Sequence, residues 1–382
     1  MHLLEASLLD FRNLAEVQLR FSPGVNVLLG ANGQGKTNVL EGLNYLALGR
    51  SFRGARDDEL VRFGAAACHA RLRLALDDGR ERVLEFGLEN GGARRLRVDG
   101  ELVARKSDLV GLLQTVVFDP QTVELVRGGP DARRRWLDGA VSGVDAAYLR
   151  HLQAYARALR HKSRLLGDVR KRLLGMGAAR PDLETWNAEL AAHAAPIMAA
   201  RARWLRDCEP CAHAAHADLA PAAGRLTLTY RPQLQAGADP LADNHDETHF
   251  IQEISGLFDY IGQDELRRGR CLAGPHMDDI EIALDGVALR TFGSRGETRT
   301  AAVALKLAQA DLVHRTRGLR PVLFFDDIFS ELDKDRSREL QERTAADHQV
   351  FIATARGEDV AGWDPPGRLT WRIDAGRVTP SP

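Results

Sequence analysis

The sequence predicts an α/β protein with a mixed central sheet, an additional antiparallel layer and an inserted, mostly helical lobe. Three features of the 382-residue chain favour this fold class. Apolar runs typical of buried strands occur near both ends, at 25–29, 321–325 and 349–355. Alternating segments between 70 and 98 are separated by Asp-Asp-Gly and Asn-Gly-Gly, which is typical of hairpins. Ala- and Leu-rich helical patterns fill 130–206, with a break around 175–177. An exposed loop or linker is expected at 231–249, followed by a helix at 250–268.

Composition narrows the functional classes. No run of about 18 apolar residues occurs, and the first residues lack the charged start and apolar middle of a signal peptide, so we expect a cytoplasmic protein without a membrane partner. Four cysteines fit a reducing compartment. The formal net charge is −1, with 52 basic and 53 acidic residues, so any nucleic-acid surface must be local.

A phosphate-binding loop follows the first buried run. The chain reads G-x-x-x-x-G-K-T, and the predicted nucleotide-binding residues are Gly30, Ala31, Asn32, Gly33, Gln34, Gly35, Lys36, Thr37 and Asn38. We expect positive φ at Gly30, Gly33 and Gly35, so that backbone N–H groups face the β-phosphate of ATP. Lys36 would lie between the β- and γ-phosphates, and Thr37 would offer its hydroxyl to Mg²⁺. The alternative is an ordinary glycine-rich turn.

Two further segments are candidates for the nucleotide site. We expect two strands, Leu3–Leu9 and Val25–Leu29, joined by a connection through 11–14 and a turn at 22–24. Arg12 and Asn13 lie in this connection and are candidates for the edge of the nucleotide. Gln121 follows a short predicted strand, Thr115–Phe118, and is a candidate Q-loop residue. We expect this strand to join the antiparallel segments in a small layer, inserted after the helix that follows the phosphate loop.

A second apolar strand ends in two carboxylates, Asp326 and Asp327, which is the form of a Walker B element. Asp326 would hold Mg²⁺ through its water shell, because a hard cation prefers carboxylate oxygen. Asp327 lies where a base can orient the attacking water. Taken alone, the pair could simply mark a strand that meets a solvated turn.

Two pieces resemble the signature loop and the D-loop of ABC-type ATPases: Gly293–Glu297, before a predicted helix, and Phe329–Asp333. This resemblance implies an ABC-type ATPase head in which Ser294 contacts the γ-phosphate held by a second subunit. Thr354, at the end of the next strand, corresponds to the switch residue of that superfamily. One chain carries one loop and one signature, so a complete site would need a head-to-tail homodimer.

The chain as a whole resembles the RecF family of bacterial recombination mediators. The matching text runs through nearly the whole length and comprises 10–13, 30–41, 49–53, 118–120, 125–126, 129–130, 133–138, 274–276, the signature region and 326–333. RecF-like proteins resemble SMC head domains without the long coiled-coil arm, in agreement with the lack of a long heptad run.

The resemblance implies function, cofactors and partners. RecF-like proteins are ATP-dependent dimers that bind DNA, favouring double-stranded regions at single-strand gaps. With RecR and RecO they help RecA to displace single-strand-binding protein, and slow ATP hydrolysis releases them. We place the ATPase lobe at 1–128 and 270–382, and the helical lobe at 129–269.

A basic stripe offers a candidate DNA surface. Between 149 and 172 the chain has one acid, Asp168, and eight basic residues, a net charge of +7 over 24 residues: Arg150, Arg157, Arg160, Lys162, Arg164, Arg170, Lys171 and Arg172. Such a stripe would contact phosphates without reading sequence. The alternative is a solvated helix face.

Other interpretations stay open. Cys208, Cys211, His213 and His216 could suggest zinc, but a helix would not let four side chains converge, which favours packing. A transporter or chaperone-like ABC ATPase, or a binding module whose ATP only organises a dimer, are the alternative functions.

Overall fold

The computed structural model describes residues 1–103, 106–234 and 247–381. The strands of these ranges are β1 (His2–Phe11), β2 (Leu14–Arg20), β3 (Val25–Leu29), β4 (Ala67–Ala75), β5 (Glu81–Glu89), β6 (Arg94–Val98), β7 (Glu101–Leu102), β8 (Thr115–Phe118), β9 (Leu226–Arg231), β10 (Asp279–Leu284), β11 (Val287–Ala288), β12 (Val322–Asp326), β13 (Val350–Thr354), β14 (Leu369–Asp374) and β15 (Arg377–Ser381).

The helices are α1 (Lys36–Leu48), α2 (Glu124–Arg127), α3 (Pro130–Val144), α4 (Ala146–Arg170), α5 (Met176–Leu219), α6 (Glu247–Arg268), α7 (Leu289–Phe292), α8 (Arg295–Arg317) and α9 (Lys334–Ala345). None of them has the length and apolar composition needed to cross a bilayer, in the ranges that the structure describes. The chain divides into two compact units: 1–123 with 214–223 and 299–382, and 124–213 with 224–298.

The first unit contains the predicted mixed central sheet. Its strand order is β15-β14-β3-β13-β12-β8, with parallel pairs except between β14 and β15. Every residue of β12 and β13 is buried, as expected for central parallel strands that are covered on both faces. The carboxyl ends of β3, β8, β12 and β13 therefore meet at one edge of the sheet.

An antiparallel sheet, ordered β2-β1-β4-β5-β6-β7, forms the second layer of this unit. Helix α1 contacts strands of both sheets, and its apolar residues Val39, Leu40, Leu43 and Leu46 are buried. The helix that begins at the phosphate loop is thus fixed between the two layers.

Two strand predictions were wrong. The segment between β1 and β3 was predicted as a connection, but Leu14, Val17 and Leu19 alternate inward and form β2 against β1. The predicted strand at Thr115–Phe118 exists as β8, but it pairs in parallel with β12 in the central sheet rather than with the antiparallel layer. There the ring of Phe118 stacks on Phe325 at a centroid distance of 4.5 Å.

The second unit consists of helices α2–α7 and a three-stranded sheet, β11-β10-β9, with the last six residues of α5 outside it, since 214–223 belong to the first unit. Arg201 on α5, with a side chain only 2% exposed, donates to Asp138 on α3 at 2.8 Å and to Asp278 at 2.9 Å. Tyr148 on α4 donates to the same Asp138 carboxylate at 2.5 Å. Separating these groups would leave a buried charge without its partner, so this network holds α3, α4 and α5 in one arrangement.

Predicted lobe boundaries and the compact units differ in one region. Residues 270–298 group with the helices because β10 pairs with β9, from Leu226–Arg231. The lobes at 1–128 with 270–382 and at 129–269 therefore stay a prediction. Part of the loop predicted between 231 and 249 lies outside the described residues; of its ends, Arg231 belongs to β9, and 247–249 belong to α6.

The Cys-His segment lies within one helix, as predicted. Cys208, Cys211, His213 and His216 all fall in α5, and Cys208, Cys211 and His216 are buried. Side chains at this spacing on a helix point in different directions, which supports the packing interpretation.

Candidate nucleotide site

The predicted phosphate loop connects β3 to α1 and lies in the first unit. Gly33 and Gly35 have φ values of 80° and 117°, as predicted. The expectation of positive φ was wrong for Gly30, where a different constraint acts. A Cβ atom at Gly30 would lie 2.2 Å from the carbonyl oxygen of Ile373, so glycine is required by the close approach of β14.

Lys36, the first residue of α1, points back into the loop. Its side chain is buried, and its Nζ donates to the carbonyl oxygens of Gly30 at 2.8 Å and Ala31 at 3.1 Å. The Oδ1 atom of Asn32 lies 3.5 Å from the same Nζ. The ammonium group of Lys36 is thus held by oxygen atoms of the loop itself, at the N-terminus of α1.

The two predicted metal ligands lie side by side. The hydroxyl of Thr37 donates to Oδ1 of Asp326 at 2.8 Å, although the residues are 289 positions apart. Asp326 ends β12 and is 6% exposed. Burial, together with the nearby negative charge of Asp327, raises the pKa of Asp326 to about 6, although the Thr37 hydrogen bond opposes this shift. A hydroxyl next to a carboxylate is a donor set that fits Mg²⁺.

Asp327 adopts a left-handed backbone conformation, with φ 51°. Its N–H donates to the carbonyl oxygen of Ala353 at 2.9 Å, which fixes the turn after β12. A non-glycine residue in this conformation is strained, and such strain is often found at functional sites.

A third carboxylate at this edge was not predicted as a site residue. Asp119 follows β8, and because Phe118 pairs with Phe325, it lies next in register to Asp326. Its negative charge also raises the pKa of Asp326. Gln121, the predicted residue of this segment, is exposed in the 3-10 turn Pro120–Val123. The available signal was an acidic residue directly after an apolar strand.

Arg12 is committed to a buried carboxylate on α1. Its Nε and Nη2 atoms donate to Glu41 at 3.0 and 2.9 Å, and its Nη1 donates to the carbonyl of Glu59 at 2.9 Å. Ser51 also donates to Glu41, and Arg53 lies 3.6 Å from it. The Glu41 side chain is fully buried, so this cluster positions Arg12 beside the phosphate helix.

Asn13 fixes the backbone of the loop. Its Nδ2 donates to the carbonyl of Gln34 at 3.1 Å, and its Oδ1 accepts from Asn38 at 2.8 Å. From the other side, the N–H of Ala375 donates to Oε1 of Gln34 at 2.6 Å. The structure therefore brings together Arg12, Asn13, the loop residues and Asp326.

Thr354, the predicted switch residue, ends β13 and pairs with Leu29 of β3. Its carbonyl accepts from the N–H of Gly30 at 3.3 Å. Its buried hydroxyl donates to Oδ2 of Asp359 at 2.5 Å. Thr354 is thus adjacent to the loop through its backbone, while its side chain is held by Asp359.

Ser294 belongs to the second unit, where it caps α8. The N–H of Glu297 donates to the Ser294 hydroxyl at 3.2 Å, and the Glu297 carboxylate accepts from the Ser294 N–H at 2.8 Å. This reciprocal pair is a capping box. It places a negative charge at the helix N-terminus where the signature serine is predicted to contact phosphate.

Known proteins resemble this chain over nearly its whole length. Residues 2–370 match the family described as the RecF/RecN/SMC N terminal domain. The chain is 36% identical over 389 residues to the DNA replication and repair protein RecF of Synechococcus sp. (strain JA-3-3Ab), covering 100% of this chain and 98% of that protein. It is 37% identical over 360 residues to RecF of Acidothermus cellulolyticus, covering 94% of this chain and 95% of that protein.

Solved structures agree. A structure of the recombination mediator protein RecF with ATPrS, in the RecFOR pathway, matches with a TM-score of 0.90 and 29% identity, covering 100% of this chain and 98% of that one. An Smc head domain from Pyrococcus furiosus matches with a TM-score of 0.58 at 16% identity and shares the fold alone. The central sheet and the phosphate loop thus form an ABC-type ATPase head, and the chain belongs to the RecF family of DNA replication and repair proteins.

Proposed function

We propose that this protein is an ATP-dependent, DNA-binding recombination mediator of the bacterial cytoplasm. ATP would induce a homodimer that binds double- and single-stranded DNA at gaps. With RecR and RecO it would promote RecA loading in DNA repair, replication-fork maintenance and the SOS response. The observation that carries the proposal is the hydrogen bond between Thr37 and Asp326, which joins the phosphate loop to the Walker B strand.

In this proposal the chain's own residues bind and orient the nucleotide. Lys36 exchanges the loop carbonyls for β- and γ-phosphate oxygens, and the N–H groups of the loop and α1 contact the β-phosphate. Thr37 and Asp326 would hold Mg²⁺, which when bound neutralises charge on the phosphate oxygens. Asp327 orients the attacking water, and its fixed backbone supports that role. Slow hydrolysis of ATP to ADP and phosphate then releases the dimer.

The signature serine would act on the nucleotide of the other subunit. Ser294 caps α8, a helix of 23 residues whose N-terminus is a favourable place for phosphate. Two protomers arranged head to tail would then enclose two ATP molecules, with each site completed by Ser294 of the partner subunit.

A mixing experiment tests this arrangement. Lys36→Ala removes the cation of one site, and Ser294→Arg blocks the signature. Each variant alone should stay monomeric with a nonhydrolysable ATP analogue in light scattering. An equimolar mixture should regain dimers, because one of the two sites then has an intact Lys36 and an intact partner serine. If the mixture stays monomeric while the unmodified protein dimerises, the composite site is wrong.

Turnover separates the alternative functions. The mediator should hydrolyse ATP slowly, and gapped DNA should stimulate hydrolysis. Dimerisation without turnover would indicate a binding module. A protein that stays monomeric in saturating analogue would refute the proposal as a whole.

The candidate DNA surface is the exposed part of the basic stripe. Seven of its eight basic side chains are exposed: Arg150, Arg157, Arg160, Arg164, Arg170, Lys171 and Arg172. Lys162 is not available, because it is 1% exposed and paired with Glu265 at 2.7 Å. Asp168 lies 4.0 Å from Arg164, a weak pair whose arginine side chain is 85% exposed. The remaining charge is still strongly positive and can contact phosphates.

Charge reversal tests this surface. Arg164→Glu with Lys171→Glu should weaken duplex binding and lower the slope of log affinity against log salt by about 2, since each lost phosphate contact contributes about 0.9. ATP affinity should not change. The matched control reverses Arg203 and Arg206, two exposed arginines of α5 outside the stripe. Equal effects of both double variants would mean that only net charge matters.

A further inference from the structure

One residue within the basic stripe, His161, forms an aromatic stack that the proposed function does not use. The ring of His161 on α4 lies parallel to the indole of Trp186 on α5, with centroids 4.7 Å apart and an interplanar angle of 3°. Trp186 is half-buried and His161 is exposed. The stack therefore lies at the surface of the helical unit.

Two cations of the stripe flank His161 on α4. Arg157 precedes His161 by four residues and Arg164 follows it by three, and both side chains are exposed. Residues at these spacings are neighbours on a helix, with Cβ atoms about 5–6 Å apart. One nucleotide could thus place its base on the ring and its phosphate beside an arginine.

An aromatic ring beside cations suits a single strand of nucleic acid better than a duplex. In a duplex the base faces are covered by their neighbours, so a protein meets phosphates and groove edges. In a single strand the base faces are accessible, and sites for single strands combine a basic groove with aromatic rings on which bases stack. The positive charges of the arginines beside the stack also attract the π-face of a base.

We propose that the His161–Trp186 stack binds the first unpaired base of single-stranded DNA, next to the duplex held by the basic stripe. This inference rests on the proposed DNA-binding function and names the residues that distinguish a gap from continuous duplex. The stripe supplies affinity for phosphates, and the stack supplies preference for a junction.

The test uses the full chain and a gapped duplex with 2-aminopurine at the first unpaired position. Stacking on His161 should quench the 2-aminopurine fluorescence on binding. His161→Ala should abolish the quench and weaken binding of gapped DNA by about 5- to 150-fold, the range that corresponds to the loss of one base–aromatic stack. Binding of blunt duplex should fall less than twofold.

Two variants control for charge and folding. His161→Phe keeps a ring without an ionisable group, so it should retain the quench and the preference for gapped DNA. His151→Ala removes another α4 imidazole, which contacts His193 rather than a tryptophan, and should leave the quench unchanged. An unchanged quench in His161→Ala, or equal weakening of gapped and blunt DNA, would overturn the proposal. Failure of the stripe itself would instead appear as unchanged duplex binding after charge reversal at Arg164 and Lys171.

Discussion

Replacing Asp326 by Asn should stabilise the nucleotide-free protein at neutral pH while weakening its Mg²⁺-dependent binding of ATP. Burial raises the pKa of this carboxyl from 3.8 to about 6 in the folded state. A raised native pKa means that the folded state binds the proton more tightly than the unfolded chain. Stability from this group is therefore present below pH 4 and is lost as pH rises through about 6.

The magnitude follows from the shift. A change of about two pKa units corresponds to about 3 kcal/mol of destabilisation at pH 7.5, at about 1.4 kcal/mol per unit. Asn removes the buried charge and can still accept from Thr37, but its amide group also needs an acceptor. We therefore expect a net gain of about 1–3 kcal/mol, or a rise in Tm of a few degrees for a unit of this size.

Thermal and urea unfolding of both proteins without nucleotide, between pH 4 and pH 8, measures this gain. It should be largest above pH 7 and should shrink towards pH 4, where Asp326 is protonated in the folded state. Asp327→Asn is the matched control. It removes only the neighbouring charge, so its gain should be smaller. An Asp326→Asn protein no more stable than the unmodified one at pH 7.5 would refute the reasoning, as would a gain that does not depend on pH.

Three further predictions concern single sites. Glu297→Gln keeps the cap of Ser294 but removes a negative charge from the N-terminus of α8, where phosphate is proposed to bind. Light scattering with an ATP analogue should therefore detect dimers at severalfold lower protein concentration. Weaker dimerisation would contradict this. Lys162→Met should lower the free energy of unfolding, measured with a chemical denaturant, by about 3–5 kcal/mol, because it leaves Glu265 buried without its partner charge. The double variant Lys162→Met with Glu265→Leu should recover most of that loss. Equal losses in the single and double variants would argue against the pair. Gly30→Ala should abolish binding of an ATP analogue in a filter assay, because the added Cβ would lie 2.2 Å from the carbonyl oxygen of Ile373. Retained binding would mean that the loop can shift.

Much of the candidate site was predictable because its signals are local. The phosphate loop, the Walker B carboxylates and the signature segment before α8 are each read from residues that are contiguous in the chain. Local patterns also predicted α6 and the break between α4 and α5, since glycine and polar residues interrupt a helical period there. Strand β2 was not predicted, because its inward-facing residues are few and the turn residues at 22–24 that follow it are equally typical of a connection.

Pairing between distant segments could not be read this way. Apolar β8 fits either sheet by composition, and only the stacking of Phe118 on Phe325 and the pairing with β12 decide its place. Asp119 becomes a neighbour of Asp326 by the same pairing. Arg12 stays a candidate for the edge of the nucleotide, and its side chain is positioned by Glu41, a carboxylate 29 positions later whose burial no local pattern indicates.

The sequence alone thus determined the chemistry of this protein: a triphosphate loop, two acidic residues after a buried strand, and a chain of arginines on one helix. Tertiary structure decided which of those groups can act. It buried Lys162 within the basic stripe and left its neighbours exposed, and it set His161 on Trp186. The physical reason is that residue type fixes charge and hydrogen-bonding capacity, while packing fixes solvent access and distance, on which binding and pKa depend.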